Sequence, residues 1–143
     1  MDDGRFVLAA MSPAGGGSYS PAQIQKLLFL IDREISDLVG GSRFLFQPYH
    51  YGPFDKRVYA VLETLEDDGL VHIGDSWTNY RTYTLTPDGL ESGRRAIEEF
   101  DTRARDYMVR ASNFVREQTF DKLVAAIYKA YPEMRVNSVF QDR

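Results

Sequence analysis

Val71-His72-Ile73 and Arg81-Thr82-Tyr83-Thr84-Leu85, followed at once by Thr86-Pro87-Asp88-Gly89, form the stretch on which the fold of this chain turns. Both short runs alternate at period two around a polar connection, residues 74–80, which predicts a β-hairpin. Thr86-Pro87 then caps a helix, with proline at a first position that needs no N–H partner. Working back, Gly52-Pro53 predicts the start of a helix. Asp55 would face the positive end of its dipole, Phe54, Val58, Val61, Leu62 and Leu65 would turn inward, and Gly69 would close it. Phe44-Leu45-Phe46-Gln47 predicts a short extended strand, cut off by Pro48. Ser20-Pro21-Ala22-Gln23 carries the capping-box pattern. Behind it Ile24, Leu27, Leu28, Ile31, Ile35 and Leu38 recur at three- and four-residue spacing, while Gln25, Lys26, Arg33 and Asp37 lie off that stripe. Residues 5–11 predict a short first helix ending at Ser12-Pro13. Working forward, the helix after Thr86 runs through Arg94, Arg95 and Phe100, and further helices occupy 103–117 and 119–131, where Pro132 stops the last.

Helix, helix, short strand, helix, hairpin is the order of a winged helix-turn-helix. Leu85-Thr86-Pro87-Asp88-Gly89 also resembles the Leu-Thr-x-x-Gly step by which many winged-helix proteins leave the wing. The expected fold class is α+β, mostly helical: a winged-helix core over about residues 5–85 with a β-hairpin wing, and additional helices over about 86–143. There is no repeat of 20–50 residues, and Gly15-Gly16-Gly17-Ser18 is too short for a domain linker. Residues 1–143 are therefore expected to form a single domain.

Composition narrows the function. The 143 residues are 43% hydrophobic, enough for one core, and include two histidines and no cysteine. Without cysteine there is no disulfide, thiolate metal site or Cys nucleophile, and His50 and His72 stand 22 residues apart with no carboxylate at ligand spacing. No metal and no cofactor is expected. No P-loop, dinucleotide fingerprint, nucleophile elbow or distinct carboxylate pair occurs, so the chain is expected not to be an enzyme. No apolar run reaches the ~18–20 residues of a membrane span, and the acidic opening Asp2-Asp3 is unlike a signal peptide, which predicts a cytoplasmic protein with no membrane partner. The net charge is −4. Residues 1–90 hold seven Lys or Arg against twelve Asp or Glu, and residues 91–143 hold ten against nine, so the acidity lies in the winged-helix part.

Three segments in order carry a family resemblance: Gln25-Lys26-Leu27-Leu28-Phe29-Leu30, Tyr51-Gly52-Pro53-Phe54, and Val58-Tyr59 with Leu62-Glu63, Leu65 and Gly69-Leu70. Together they resemble the Panacea-type (SocA-like) antitoxin domain of bacterial and phage toxin–antitoxin operons, or a winged-helix family related to it. The resemblance covers residues 21–73; Tyr131 to Ser138 falls outside it. It implies a non-enzymatic protein-interaction module that binds and neutralises or escorts a partner protein, a cognate toxin.

The residues themselves suggest where a partner would dock. Tyr49, His50, Tyr51 and Phe54 put four rings into six residues, and Gly52 permits close backbone approach. Rings give contact area at low entropic cost, so Tyr49, Tyr51, Gly52 and Phe54 are candidate partner-binding residues, with Lys56 and Arg57 to orient the partner. The competing reading is that these rings cover the core between the main helices. A second function, from another class, is a winged-helix transcription regulator acting as a dimer on DNA. It would place the first turns of the helix after Pro53, which carry Lys56 and Arg57, in the major groove. Against it, residues 53–68 also carry Asp55, Glu63, Glu66, Asp67 and Asp68, and the wing offers only Arg81, with Asp75 nearby; phosphate repulsion disfavours DNA. Glu66, Asp67 and Asp68 sit at the negative end of a helix, either solvated or facing cations on a partner. Arg94, Arg95, Arg103, Arg105 and Arg110 are interspersed with Glu and Asp, which favours intrahelical ion pairs on a wet face. Leu123, Ala126, Ile127, Ala130 and Tyr131 form an apolar stripe that packs on the chain's own core or joins two copies as a homodimer.

Overall fold

The computed structural model describes residues 1–75 and 81–141. Residues 76–80 of the expected hairpin connection lie outside the described residues. The chain is α+β and mostly helical. In order it forms α1 (Asp3–Met11), β1 (Ser18–Tyr19), α2 (Pro21–Ile35), β2 (Gln47–Tyr49), β3 (Gly52–Phe54), α3 (Arg57–Asp67), β4 (Val71–Asp75), β5 (Arg81–Leu85), α4 (Pro87–Ile97), α5 (Thr102–Glu117) and α6 (Phe120–Ala130), with a 3-10 turn at Pro132–Arg135. One antiparallel sheet has the order β1-β5-β4; β2 and β3 pair separately as a small hairpin. The register of β4 on β5 runs from Val71 opposite Leu85 to Asp75 opposite Arg81, so the period-two reading of that pair holds.

Local signals account for most element ends. The Ser20 hydroxyl accepts from the Gln23 N–H while the Gln23 side chain accepts from the Ser20 N–H, which is the reciprocal capping box. Gly69, at φ +76°, ends α3 in a Schellman motif: Leu70 N–H donates to the Leu65 carbonyl and Gly69 N–H to that of Glu66. The helix after Thr86 stops at Ile97, before Phe100.

Two expectations are corrected. Phe44 to Phe46 are irregular and the strand falls on Gln47–Tyr49, while Gly52-Pro53 opens not a helix but β3, so α3 begins only at Arg57. Pro53 sits opposite Pro48 in the ladder, where neither residue has an N–H to lose. The strand next to the wing is β1, which pairs with β5 through Ser18 opposite Thr84 and Tyr19 opposite Tyr83.

One apolar cluster joins α1, α2, α3, β5, α5 and α6. Leu27, Leu28, Ile31, Val58, Leu62, Leu65 and Leu85 are all buried in it, as are Leu123, Val124, Ile127 and Tyr128 of α6. Of the expected apolar stripe of α6, Leu123 and Ile127 pack in the chain's own core and Ala126 and Tyr131 are half-buried, whereas Ala130 is exposed. Helix α2 lies at the centre and is buried on every side from Ile24 to Ile31, so Gln25 and Lys26, off the apolar stripe in sequence, are buried too.

The exit from β5 explains itself at close range. Thr86 caps α4 by accepting from the Gly89 N–H, its hydroxyl donates to the Gly69 carbonyl at 2.7 Å, and its own N–H donates to the Leu70 carbonyl. The backbone of Leu70 then lies so near that a Cβ on Gly89 would stand 1.8 Å from the Leu70 oxygen. Overpacking against backbone has no cheap relief. Gly89→Ala is therefore expected to lower stability by about 3 kcal/mol or more in urea unfolding, whereas Gly16→Ala, which meets nothing within 4 Å, should leave it nearly unchanged.

Candidate functional site

The ring-bearing segment is the β2–β3 hairpin, and α2 holds it from beneath. The Gln25 side-chain amide donates to the Asp55 carbonyl at 2.9 Å and accepts from the Asp55 N–H at 3.0 Å. Asp55 is itself buried: one carboxylate oxygen accepts from the Leu45 N–H and the other from the Arg57 N–H. It therefore supports the backbone around β3 rather than presenting charge on a helix. Gly52, at φ +111°, is buried against its own chain, with the Lys26 amine and the Tyr128 ring each 3.7 Å from where a Cβ would stand. The close approach that Gly52 permits is thus already used within the molecule.

Above this base the rings divide. Tyr49 and Tyr51 are 49% and 46% exposed, whereas Phe54 is half-buried. Tyr49 stacks on His50 and on Phe54, Phe54 meets Tyr59 edge-on, and Tyr59 stacks on buried Tyr83 of β5. A row of rings therefore runs from the surface to the sheet. Both competing readings apply, each to different residues: Phe54 belongs to the structural side, and Tyr49 and Tyr51 are free to make contacts.

Tyr51 meets Phe120, the first residue of α6, edge-on with centroids 5.2 Å apart. Between them opens a cleft of about 470 Å³ lined also by Ala125, Val139 and Phe140. Phe120, Val136 and Val139 are 45%, 75% and 56% exposed. The sequence reading missed these residues. They stand 70 to 90 positions from the hairpin, and only the exposed Phe120 at a predicted helix start offered any local signal.

Lys56 is exposed and forms no ion pair among the described residues. Arg57 turns away from the rings. Its guanidinium reaches Asp3 at 3.4 Å and the Arg43 carbonyl, and it lines a different cleft, between α1 and α3. The other side of α3 is acidic: Glu63, Glu66, Asp67 and Asp75 face Arg81 across the groove between α3 and β4, and Glu66 accepts from the Ile73 N–H. Of the five later arginines expected to pair within their helices, only Arg95 forms an ion pair among the described residues, with Glu91 one turn away; Arg105 donates to the Thr102 hydroxyl and Arg110 lies over the Tyr107 ring. Among the described residues no three His, Asp or Glu side chains gather as a metal-binding set, and no helix is long and apolar enough to cross a membrane. No protein-family model matches this sequence, and no curated protein matches it.

Lys26 is the anomaly of the site. It is 2% exposed, makes no hydrogen bond or ion pair among the described residues, and burial lowers its pKa from 10.5 to about 8. Between those values the unfolded chain binds the proton that the folded chain has released, so stability rises with pH from about 8 toward 10.5. Buried tyrosines such as Tyr19 and Tyr83, whose phenols burial pushes up, oppose this above their ordinary pKa of 10. The test window is therefore pH 7.5 to about 9.5. Lys26→Met keeps the stem and removes the charge. It is expected to stabilise the protein at pH 7.5 by about 1–3 kcal/mol, with the gain shrinking toward pH 9.5 in thermal melts; a gain independent of pH would refute the assignment.

Proposed function

We propose that this chain is a winged-helix protein-interaction module, of the antitoxin kind its sequence resembles, which captures a partner protein through the exposed face of the β2–β3 hairpin. The order α1, β1, α2, α3, β4, β5, with the β2–β3 hairpin inserted between α2 and α3, and the sheet order β1-β5-β4 support the winged-helix reading of residues 3–85. The observation that carries the functional reading is the grouping of exposed apolar side chains. Eight large hydrophobic residues are exposed among the described ones, and five of them, Tyr49, Tyr51, Phe120, Val136 and Val139, belong to the hairpin, the first turn of α6 and the segment beside them. Surface hydrophobes scattered singly need no explanation, but Tyr51, Phe120 and Val139, which line one cleft from three separate segments, do. Aromatic anchors at such a cleft are the usual carriers of binding energy. Lys56, exposed just beyond β3, supplies a cation at the edge of this face, while Arg57 is held by Asp3.

The acidic groove between α3 and β4 speaks against the regulator reading, because a winged helix on DNA would set that groove against phosphates. At physiological salt the protein is expected to bind duplex DNA only at the non-specific level, ~10⁻⁴–10⁻⁶ M, in a gel-shift assay. Nanomolar, sequence-dependent binding weakened by Arg57→Ala would replace the proposal with the regulator.

The direct test is capture of the product of the reading frame adjacent to this chain's gene. Tyr51→Ala should weaken capture about 30-fold or more, the equivalent of ~2 kcal/mol, and leave the melting temperature nearly unchanged; Lys56→Glu should weaken it less. Parallel loss of capture and stability in Tyr51→Ala would make Tyr51 a core residue. Intact capture in both variants would move the interface off the hairpin.

A further inference from the structure

The face that carries the exposed rings is charged differently from the rest of the chain. Its cleft has apolar walls: Tyr51 on one side, Phe120 and Ala125 of α6 on another, Val139 and Phe140 on a third. The third wall is held in place, because the Ser138 hydroxyl and the Val139 N–H donate to the His50 carbonyl at 3.2 and 2.9 Å and Phe140 leans on the Tyr128 ring. Charged side chains surround these walls. Lys122 and Asp121 line the cleft and are exposed. Lys129 is exposed two turns beyond Lys122 on the same face of α6. Lys56 stands exposed just beyond β3, and Arg135 lies over the Tyr128 ring.

None of these four cations forms an ion pair among the described residues. The anions of the same segments are already engaged, Asp121 excepted: Asp55 is buried and accepts from two backbone N–H groups, and Glu133 pairs with Arg33 of α2. In a chain of net charge −4, this face therefore has an excess of positive charge, while Glu63, Glu66, Asp67 and Asp75 collect in the groove between α3 and β4. Lys26 adds to the excess from beneath. Its amine lies 3.7 Å from where a Cβ of Gly52 would stand, next in sequence to Tyr51, and a charge buried there is screened less than an exposed one. With a pKa of about 8 it is still mostly protonated at neutral pH.

We propose that the cleft takes an acidic patch of a partner protein: an apolar side chain of the partner enters between Tyr51, Phe120 and Val139, and the carboxylates around it meet Lys56, Lys122 and Lys129, with Lys26 adding attraction from below. Charge complementarity of this kind steers association and rejects wrong partners more than it adds raw affinity. A basic partner is repelled here and drawn to the acidic groove instead. Alanine and valine in the walls suit a side-chain anchor and offer nothing to a stacked base, which favours a protein over a nucleic acid. The inference rests on the docking reading of this face and adds the chemistry of the partner.

The probe is a fluorescein-labelled peptide of leucine and phenylalanine flanked by glutamates, compared by anisotropy with the same peptide carrying glutamine or lysine in place of glutamate. The chain should bind the glutamate peptide about ten-fold tighter than the glutamine peptide at about 20 mM salt, and the preference should shrink toward about 300 mM. Lys122→Glu and Lys56→Glu, at exposed positions outside any ion pair among the described residues, should each reduce the preference about three-fold or more. Lys26→Met should reduce it while raising thermal stability. Tyr51→Ala should weaken both peptides alike, because it removes a wall and no charge. Arg95→Glu, the same change of net charge on α4, should leave the preference intact. Equal affinity for the glutamate and glutamine peptides, tighter binding of the lysine peptide, or an equal loss of preference in Arg95→Glu would overturn the proposal. A single-stranded oligonucleotide that displaces the glutamate peptide and binds more tightly would assign the cations to nucleic acid and overturn it as well. Capture of the adjacent gene's product is read separately: capture without the glutamate preference removes this inference alone, and the preference without capture removes that partner alone.

Discussion

A single side-chain amide, that of Gln25, stands where a neighbouring strand would otherwise be. It bonds both the N–H and the carbonyl of Asp55, so the chain just beyond β3 is hydrogen-bonded to the buried N-terminal half of α2. Much else hangs from that junction. The Asp55 carboxylate ties down the Leu45 and Arg57 N–H groups, and so places both the irregular chain before β2 and the first turn of α3. The geometry of α2 then puts the next residue, Lys26, under Gly52. Removing the Gln25 amide would leave two backbone groups buried without partners, a cost larger than the net value of the bonds themselves.

The junction decides what the surface presents. With the hairpin held from beneath, Phe54 turns toward Tyr59 and the sheet, while Tyr49 and Tyr51 are left outward, close to Phe120 and the segment around Val139. Charge is sorted at the same time. The acidic side chains of α3 and β4 collect in a groove of their own, and Arg57 is drawn to Asp3 at the start of α1. Exposed rings rimmed by polar side chains, here Asp121, Lys122 and Gln141, suit a protein partner, where desolvating aromatic surface is favourable. The Lys26 side chain, buried beneath the hairpin with no ion-pair partner among the described residues, is a cost the core sustains. Such local violations of packing rules are commonest near sites that do something other than fold.

The close contacts between helices carry the rest of the framework. Gly89 touches the Leu70 backbone and Gly93 that of Leu8, so α4 can lie against α1 and the α3–β4 corner without intervening side chains. The helices beyond residue 86 share one core with those before it. Tyr19 shows the same dependence: its hydroxyl meets Ser112 of α5 at 2.6 Å, joining the β1 strand to a helix more than 90 residues later.

Where the physics was local, the amino-acid sequence alone was enough. The Ser20–Gln23 box, the Thr86 cap, the Gly69 terminus and the alternation of β4 and β5 are each complete within a few residues, and each stands where those residues put it. The α+β, mostly helical class and the buried faces of α2 and α3 follow from the same periodicities. The tertiary structure decided the remainder, because there the competing energies came from distant residues. Pro53 has equal credentials as a first helical residue and as an edge-strand residue, and the Gln25 amide, bonded to Asp55 30 positions away in sequence, favours the strand. Periodicity marks one apolar stripe on α2 and cannot register that neighbours enclose the other side, which is why Gln25 and Lys26 read as polar-face residues and are buried. The ring cluster was half legible for the same reason: Tyr49 and Tyr51 announce themselves, but Phe120, Ser138 and Val139 join them only through packing of α6 and the segment after it, and a contact between residues 70 to 90 positions apart leaves no trace in local composition.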